Sequence, residues 1–101
     1  AFADLPVVTQ GMSNGLNHNY HKYVVRFEDK DTRKRVKNAV NASIHYETPL
    51  SANTMYTDLE YKSDACTASK TASDTVLSLP IHAWLTNNEI NDIIKTVKDA
   101  I

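Results

Sequence analysis

The apolar positions of this chain fall into three short β-like runs separated by stretches with helical spacing. Tyr20 to Phe27 is rich in β-branched and aromatic residues and predicts a strand. Adjacent Val24 and Val25 blur its periodicity, as expected of a strand covered on one face and partly on the other. Ala42 to Tyr46 and Val76 to Leu79 predict two more short strands, the last ending at Pro80. Between the first two, Asp29 or Asp31 can cap a helix running to about Val40. Its apolar stripe is Val36, Ala39 and Val40, opposite Lys30, Arg33, Lys34, Arg35 and Lys37. Ser63 or Asp64 opens a weaker helix to about Thr75, whose Ala65, Ala68, Ser69 and Ala72 form a small-residue face able to lie close against a sheet. Thr86 with Glu89 three residues on is a capping box, followed by Ile90, Ile93, Ile94, Val97 and Ile101 on one helical face.

Between these elements, residues 7 to 19 gather Gly11, Ser13, Asn14, Gly15, Asn17 and Asn19 and read as loop. Glu47 to Tyr61 reads as irregular chain, with Met55, Tyr56 and Leu59 apolar enough to pack. Ala1 to Pro6 reads as the last turn of a helix stopped before a proline, as expected of a piece of a larger protein. The order strand, helix, strand, loop, helix, strand, helix implies an α+β domain: a small mixed or antiparallel sheet of about three strands with helices packed on it.

Composition narrows the function classes. With 42% hydrophobic and 23% charged residues, the 101-residue chain is apolar enough to fold as one domain. Eleven basic against twelve acidic residues give a net charge of -1, so nothing in the overall charge favours nucleic acid or an anionic membrane. The apolar runs are only a few residues long, too short to span a bilayer. Cys66 is the sole cysteine, which excludes an intrachain disulfide and fits a reducing cytoplasm.

Candidate chemistry centres on His45-Tyr46. A His supplies a donor or acceptor near neutral pH, and a Tyr supplies a flat face and a hydroxyl, a pairing suited to a sugar. From the dipeptide alone, an exposed His beside a buried Tyr is the plainer reading, because neighbouring strand residues face opposite ways. His18, His21, His45 and His82 lack the paired spacing of a metal site. The basic helix face carries no interleaved aromatic platform and reads as solvated surface. Two glycines are too few for a phosphate-binding loop, and no Gly-x-Ser-x-Gly elbow is present.

Residues 18 to 101 follow an order of landmarks. They are His18-Asn19-Tyr20-His21-Lys22-Tyr23-Val24-Val25-Arg26, a charged helix, Ile44-His45-Tyr46, Tyr56 to Lys62, a second helix, Leu77-Ser78-Leu79-Pro80-Ile81, and Leu85-Thr86 opening the terminal helix. This order resembles the C-terminal small domain of the DegT/DnrJ/StrS family of sugar aminotransferases, fold-type I enzymes that use pyridoxal phosphate (PLP). Glu47 stands where that family commonly has Pro, and Ser51 near its second His. Cys66-Thr67 replaces an aromatic-Pro pair, and glycines are missing before Ser43.

The resemblance implies a substrate pocket that includes His45 and Tyr46, with Tyr20 and His21 as strand residues shaping its wall. It implies a large N-terminal PLP domain in the parent enzyme, a homodimer partner subunit and a nucleotide-sugar substrate of the kind used in cell-surface polysaccharide synthesis. Glutamate would be the usual amino donor. The Schiff-base lysine would lie in the large domain, so the fragment alone would bind no PLP and be inactive. Sugar dehydratases share the scaffold. The alternative from another class is a free-standing α+β module that binds a small molecule or a protein.

Overall fold

The computed structural model describes residues 1–59 and 63–101. Its centre is a three-stranded antiparallel sheet in the order β1-β2-β3, formed by β1 (Val7–Thr9), β2 (Tyr23–Phe27) and β3 (Val76–Leu79). β1 comes from the stretch expected to be loop. Val7-Val8-Thr9 is a β-branched triplet that pairs Val7 with Phe27 and Thr9 with Val25, before the glycine and asparagine residues begin. Gln10 prolongs the pairing through its side chain, whose Oε1 accepts the Val24 N–H at 3.0 Å.

β2 begins three residues later than expected, because the amides of Tyr20 and His21 turn to side chains of the preceding loop. His18 Nδ1 accepts from Tyr20 N at 2.8 Å and Asn19 Oδ1 accepts from His21 N at 3.3 Å. Tyr20 also has φ +47°, which ends extended structure there. The expected strand over Ala42 to Tyr46 shrinks to one bridge, Ser43 to Ser78, because left-handed residues at Asn41 and Tyr46 bound it. Alternation holds inside that short span: Ala42 and Ile44 join the core, while Ser43 and His45 face away from it.

On the core side of the sheet, Tyr23, Val25 and Phe27 meet Leu77 and Leu79. They are covered by α1 (Lys30–Val40) and α4 (Asn87–Ala100), which pack together through the fully buried Val36 and Val97. α1 starts at Asp29, whose carboxylate accepts from Thr32 N at 2.8 Å, and stops at Asn41 in the left-handed region. Its buried face is Thr32, Arg33 and Val36. Ala39 is exposed, and Arg33, expected among the solvated bases, is buried with Nε on the Asp74 carbonyl at 3.0 Å. Arg35 reaches the α4 end, donating to the carbonyls of Ala100 and Ile101 at 3.3 Å each.

α4 carries the capping box expected from sequence, with Glu89 N donating to Thr86 Oγ1 and Thr86 N donating to the Glu89 carboxylate. Beyond the irregular stretch, a 3-10 turn (Leu50–Ala52) leads into the short α2 (Thr54–Thr57), and another (Ser63–Cys66) into α3 (Thr67–Thr75). The side chains of the expected caps Ser63 and Asp64, and the landmark residues 60–62, lie outside what is described. α3 does not use its alanine face for close packing: Ala65 and Ala68 are exposed, and Ser73 and Thr75 are the buried residues. Phe2, in the segment expected to be the end of a helix, instead opens a turn closed by Leu5 N on Phe2 O and packs into the core.

Candidate functional site

The face of the sheet away from α1 and α4 carries the candidate site, and β3 builds its floor. Antiparallel pairing sets Ser78 beside Val24 on one side and, through the bridge, beside Ser43 on the other. His45, two residues after Ser43, falls on the same face, and its Nδ1 lies 2.8 Å from Ser78 Oγ. Among the described residues no protein group meets Nε2.

Two clefts meet at His45. One, of about 290 Å³, is polar: His21, Lys22, Asn41, Ser43, His45 and Ser78 line it, above Leu79 and Pro80. The other, of about 450 Å³, opens between Tyr46, Pro49 and Leu50 on one side and Cys66, Ser69 and Ala72 on the other. The small face of α3 is thus the wall of a cleft, which explains why it packs so loosely.

Of the four residues expected at the site, the structure brings His45 and His21 into one cleft and gives Tyr46 to the other. Tyr46 is 83% exposed. At φ +63° it breaks the alternation that would have turned its ring inward, so the reading with a buried Tyr is overturned. Tyr20 lines neither cleft. Its ring stacks on His18 with centroids 4.3 Å apart and leans on Tyr23, while its hydroxyl lies 3.2 Å from Met12 Sδ. It belongs to an aromatic cluster with His18 and Tyr23 and is not a strand residue.

Sequence reasoning missed Lys22, Asn41, Ser43 and Ser78. The available signal was Ser78 itself, a hydroxyl set between Leu77 and Leu79 in a run otherwise made for burial.

The polar cleft suits a ligand rich in oxygen acceptors. Two imidazoles, an ammonium, an amide and two hydroxyls are among its lining groups, and among the described residues no carboxylate lines it. Those groups do not fit PLP. Among the described residues the cleft offers no acid to pair with the pyridinium nitrogen, and it lies at the C-terminal end of α1, where the helix dipole disfavours a phosphate. Among the described residues no group of three His, Cys, Asp or Glu side chains is placed to hold a metal, and no helix is long and apolar enough to cross a membrane.

A third cleft, of about 300 Å³, adjoins the polar one across Leu79 and Pro80 and is apolar, lined also by Phe2, Tyr23, Leu85, Ile90, Ile93 and Ile94. Near it the loop before α4 lifts Trp84 into solvent, 85% exposed.

Sheet and helices together define an α+β domain with a polar cleft open at the sheet face. A model of the DegT/DnrJ/EryC1/StrS aminotransferase family matches residues 1–98, and the chain belongs to that family. It is 31% identical over 81 residues to the erythromycin biosynthesis sensory transduction protein EryC1 of Saccharopolyspora erythraea, a match covering 78% of this chain and 22% of that protein. In fold it is similar to a Streptococcus pneumoniae protein described as a sugar aminotransferase, in its apo form, with a TM-score of 0.85 and 21% identity. That match covers 98% of this chain and 27% of the other. The chain therefore spans about a quarter of the length of the relatives it matches.

Proposed function

We propose that this chain is the C-terminal small domain of a PLP-dependent aminotransferase that passes an amino group from an amino acid, glutamate in the first instance, to a keto-sugar nucleotide. The observation that carries the reading is the family match over residues 1–98 in a chain about a quarter as long as its relatives. PLP, where bound, serves as the electron sink. The residues that hold it belong to a large domain outside this chain, in keeping with a cleft that lacks the groups PLP needs, and the fragment alone is inactive.

Within that enzyme His45 donates from Nε2 to an oxygen of the substrate, and His21 closes the opposite wall of the cleft. Tyr46 offers its exposed ring as a flat surface for the sugar or base. Tyr20 acts behind them, fixing the turn that carries His21. The dimer partner completes the site, and the enzyme works in the cytoplasm on nucleotide sugars of the kind used for cell-surface polysaccharide.

The test is the intact mass and absorbance of the native gene product, before and after borohydride reduction. It is followed by incubation with glutamate and a panel of UDP- and dTDP-linked keto-hexoses. A product several times heavier than 11.3 kDa with a reducible PLP chromophore and an aminated sugar supports the reading. A native product of this size without PLP would falsify it. A regulatory binding module is the second reading, favoured by the sensory transduction role in the name of EryC1. It predicts a PLP-free product that retains ligand binding in the polar cleft.

A further inference from the structure

Ser78 is 7% exposed, on a strand whose neighbours Leu77 and Leu79 are core residues. Its backbone N–H is already used by the Ser43 carbonyl at 3.0 Å, so the hydroxyl is not needed to hold the bridge. A buried hydroxyl requires a partner. It finds the Nδ1 of the exposed His45 at 2.8 Å, where the chain leaves the core after Ile44 and bends away at Tyr46. A buried strand hydroxyl thus grips one nitrogen of an exposed ring.

We propose that Ser78 is a positioning residue for substrate recognition: its hydroxyl donates to His45 Nδ1, fixing the ring's orientation and tautomer so that Nε2–H faces the ligand. An imidazole whose Nδ1 accepts a hydrogen bond keeps its proton on Nε2, and the outward nitrogen is then a donor. The ligand atom it meets is an oxygen acceptor of the nucleotide sugar, a hydroxyl, carbonyl or phosphate oxygen. The assignment of ligand rests on the aminotransferase reading; the grip on the ring does not.

The ring can be read directly in the 101-residue chain labelled with 15N-histidine, at mildly alkaline pH where ordinary imidazoles are neutral. His45→Ala assigns its signals among the four histidines. Wild type is expected to show a bare Nδ1 and a protonated Nε2 for His45. Ser78→Ala mixes the tautomers of His45 and leaves His82 unchanged, and Ser78→Thr, which keeps the hydroxyl, restores the single form. Unchanged His45 signals in Ser78→Ala, or a protonated Nδ1 in wild type, overturn the proposal. Should Ser78→Ala not fold, Ser78→Cys keeps the volume with a far weaker donor and gives the same comparison.

In the longer polypeptide, with whichever UDP- or dTDP-linked keto-hexose is aminated, Ser78→Ala is expected to raise KM about five-fold, the worth of one hydrogen bond, with kcat nearly unchanged. The effect should vanish in a His45→Ala background. Persistence of the effect there overturns the positioning role while the aminotransferase reading stands. Absence of amino transfer in wild type sinks that reading while the tautomer result stands.

Discussion

Tyr46 occupies a backbone conformation that costs a residue with a Cβ about 1–2 kcal/mol, with its ring in solvent. Such a residue is held by its surroundings, and left-handed non-glycine residues gather at working sites. Tyr46→Gly should therefore leave the thermal midpoint within a few degrees of wild type, since relief of strain offsets the roughly 0.4–1 kcal/mol of added chain entropy. Tyr46→Val, β-branched at positive φ, should lower it clearly in the same melting experiment. At this scale the sequence singled out candidate residues but said little about how they are placed. His45 and Tyr46 were legible as a pair because their chemistry is concentrated in two adjacent positions. Tyr20 was misplaced because His18 and Asn19 cap its turn through side chains, a competition that strand propensity does not register. Ser78 went unseen because its partner is 33 residues away.

Elements with local punctuation were readable and elements defined by distant pairing were not. α4 began where Thr86 said it should and α1 at Asp29, one of its two candidate caps, because a cap and its helix lie within four residues of each other. β1 was lost in a run of turn formers, and the 42–46 strand was overestimated, because strand length depends on what the neighbour offers. Leu77 is the residue on which these elements converge: fully buried, paired with Val25, and next to the serine that grips His45. Leu77→Ala should cost about 2–5 kcal/mol in urea unfolding, a large share of what a domain this size has. Asp29→Ala should lower the melting temperature too, and remove helical signal first, since it leaves the Thr32 amide without its acceptor.

At the scale of the molecule, three carboxylates among the described residues lend stability that acid removes. Hydrogen bonds from Thr32 hold Asp29 below the usual carboxylate range, the Lys30 ammonium does so for Asp74, and Thr86 for Glu89. Each carboxyl binds its proton more weakly folded than unfolded. The stability they lend is complete above the unfolded values and drains away as pH falls through the folded ones. Urea midpoints should thus hold steady near neutrality and begin to fall at about pH 5, with a shallower fall in Asp29→Asn. Lys95, raised by Asp99, runs the other way, and its contribution fades only as pH climbs through its raised value.

The exposed indole of Trp84 makes the chain its own optical probe. It is the sole tryptophan and stands clear of the core, so its fluorescence is nearly blind to packing inside the domain and answers to whatever shades that loop. In the isolated chain iodide should quench it almost as well as free tryptophan. In the longer polypeptide a blue-shifted, iodide-resistant emission would register the moment another surface comes to rest against it. An emission equally open to iodide in both would mean that this side of the domain stays bare.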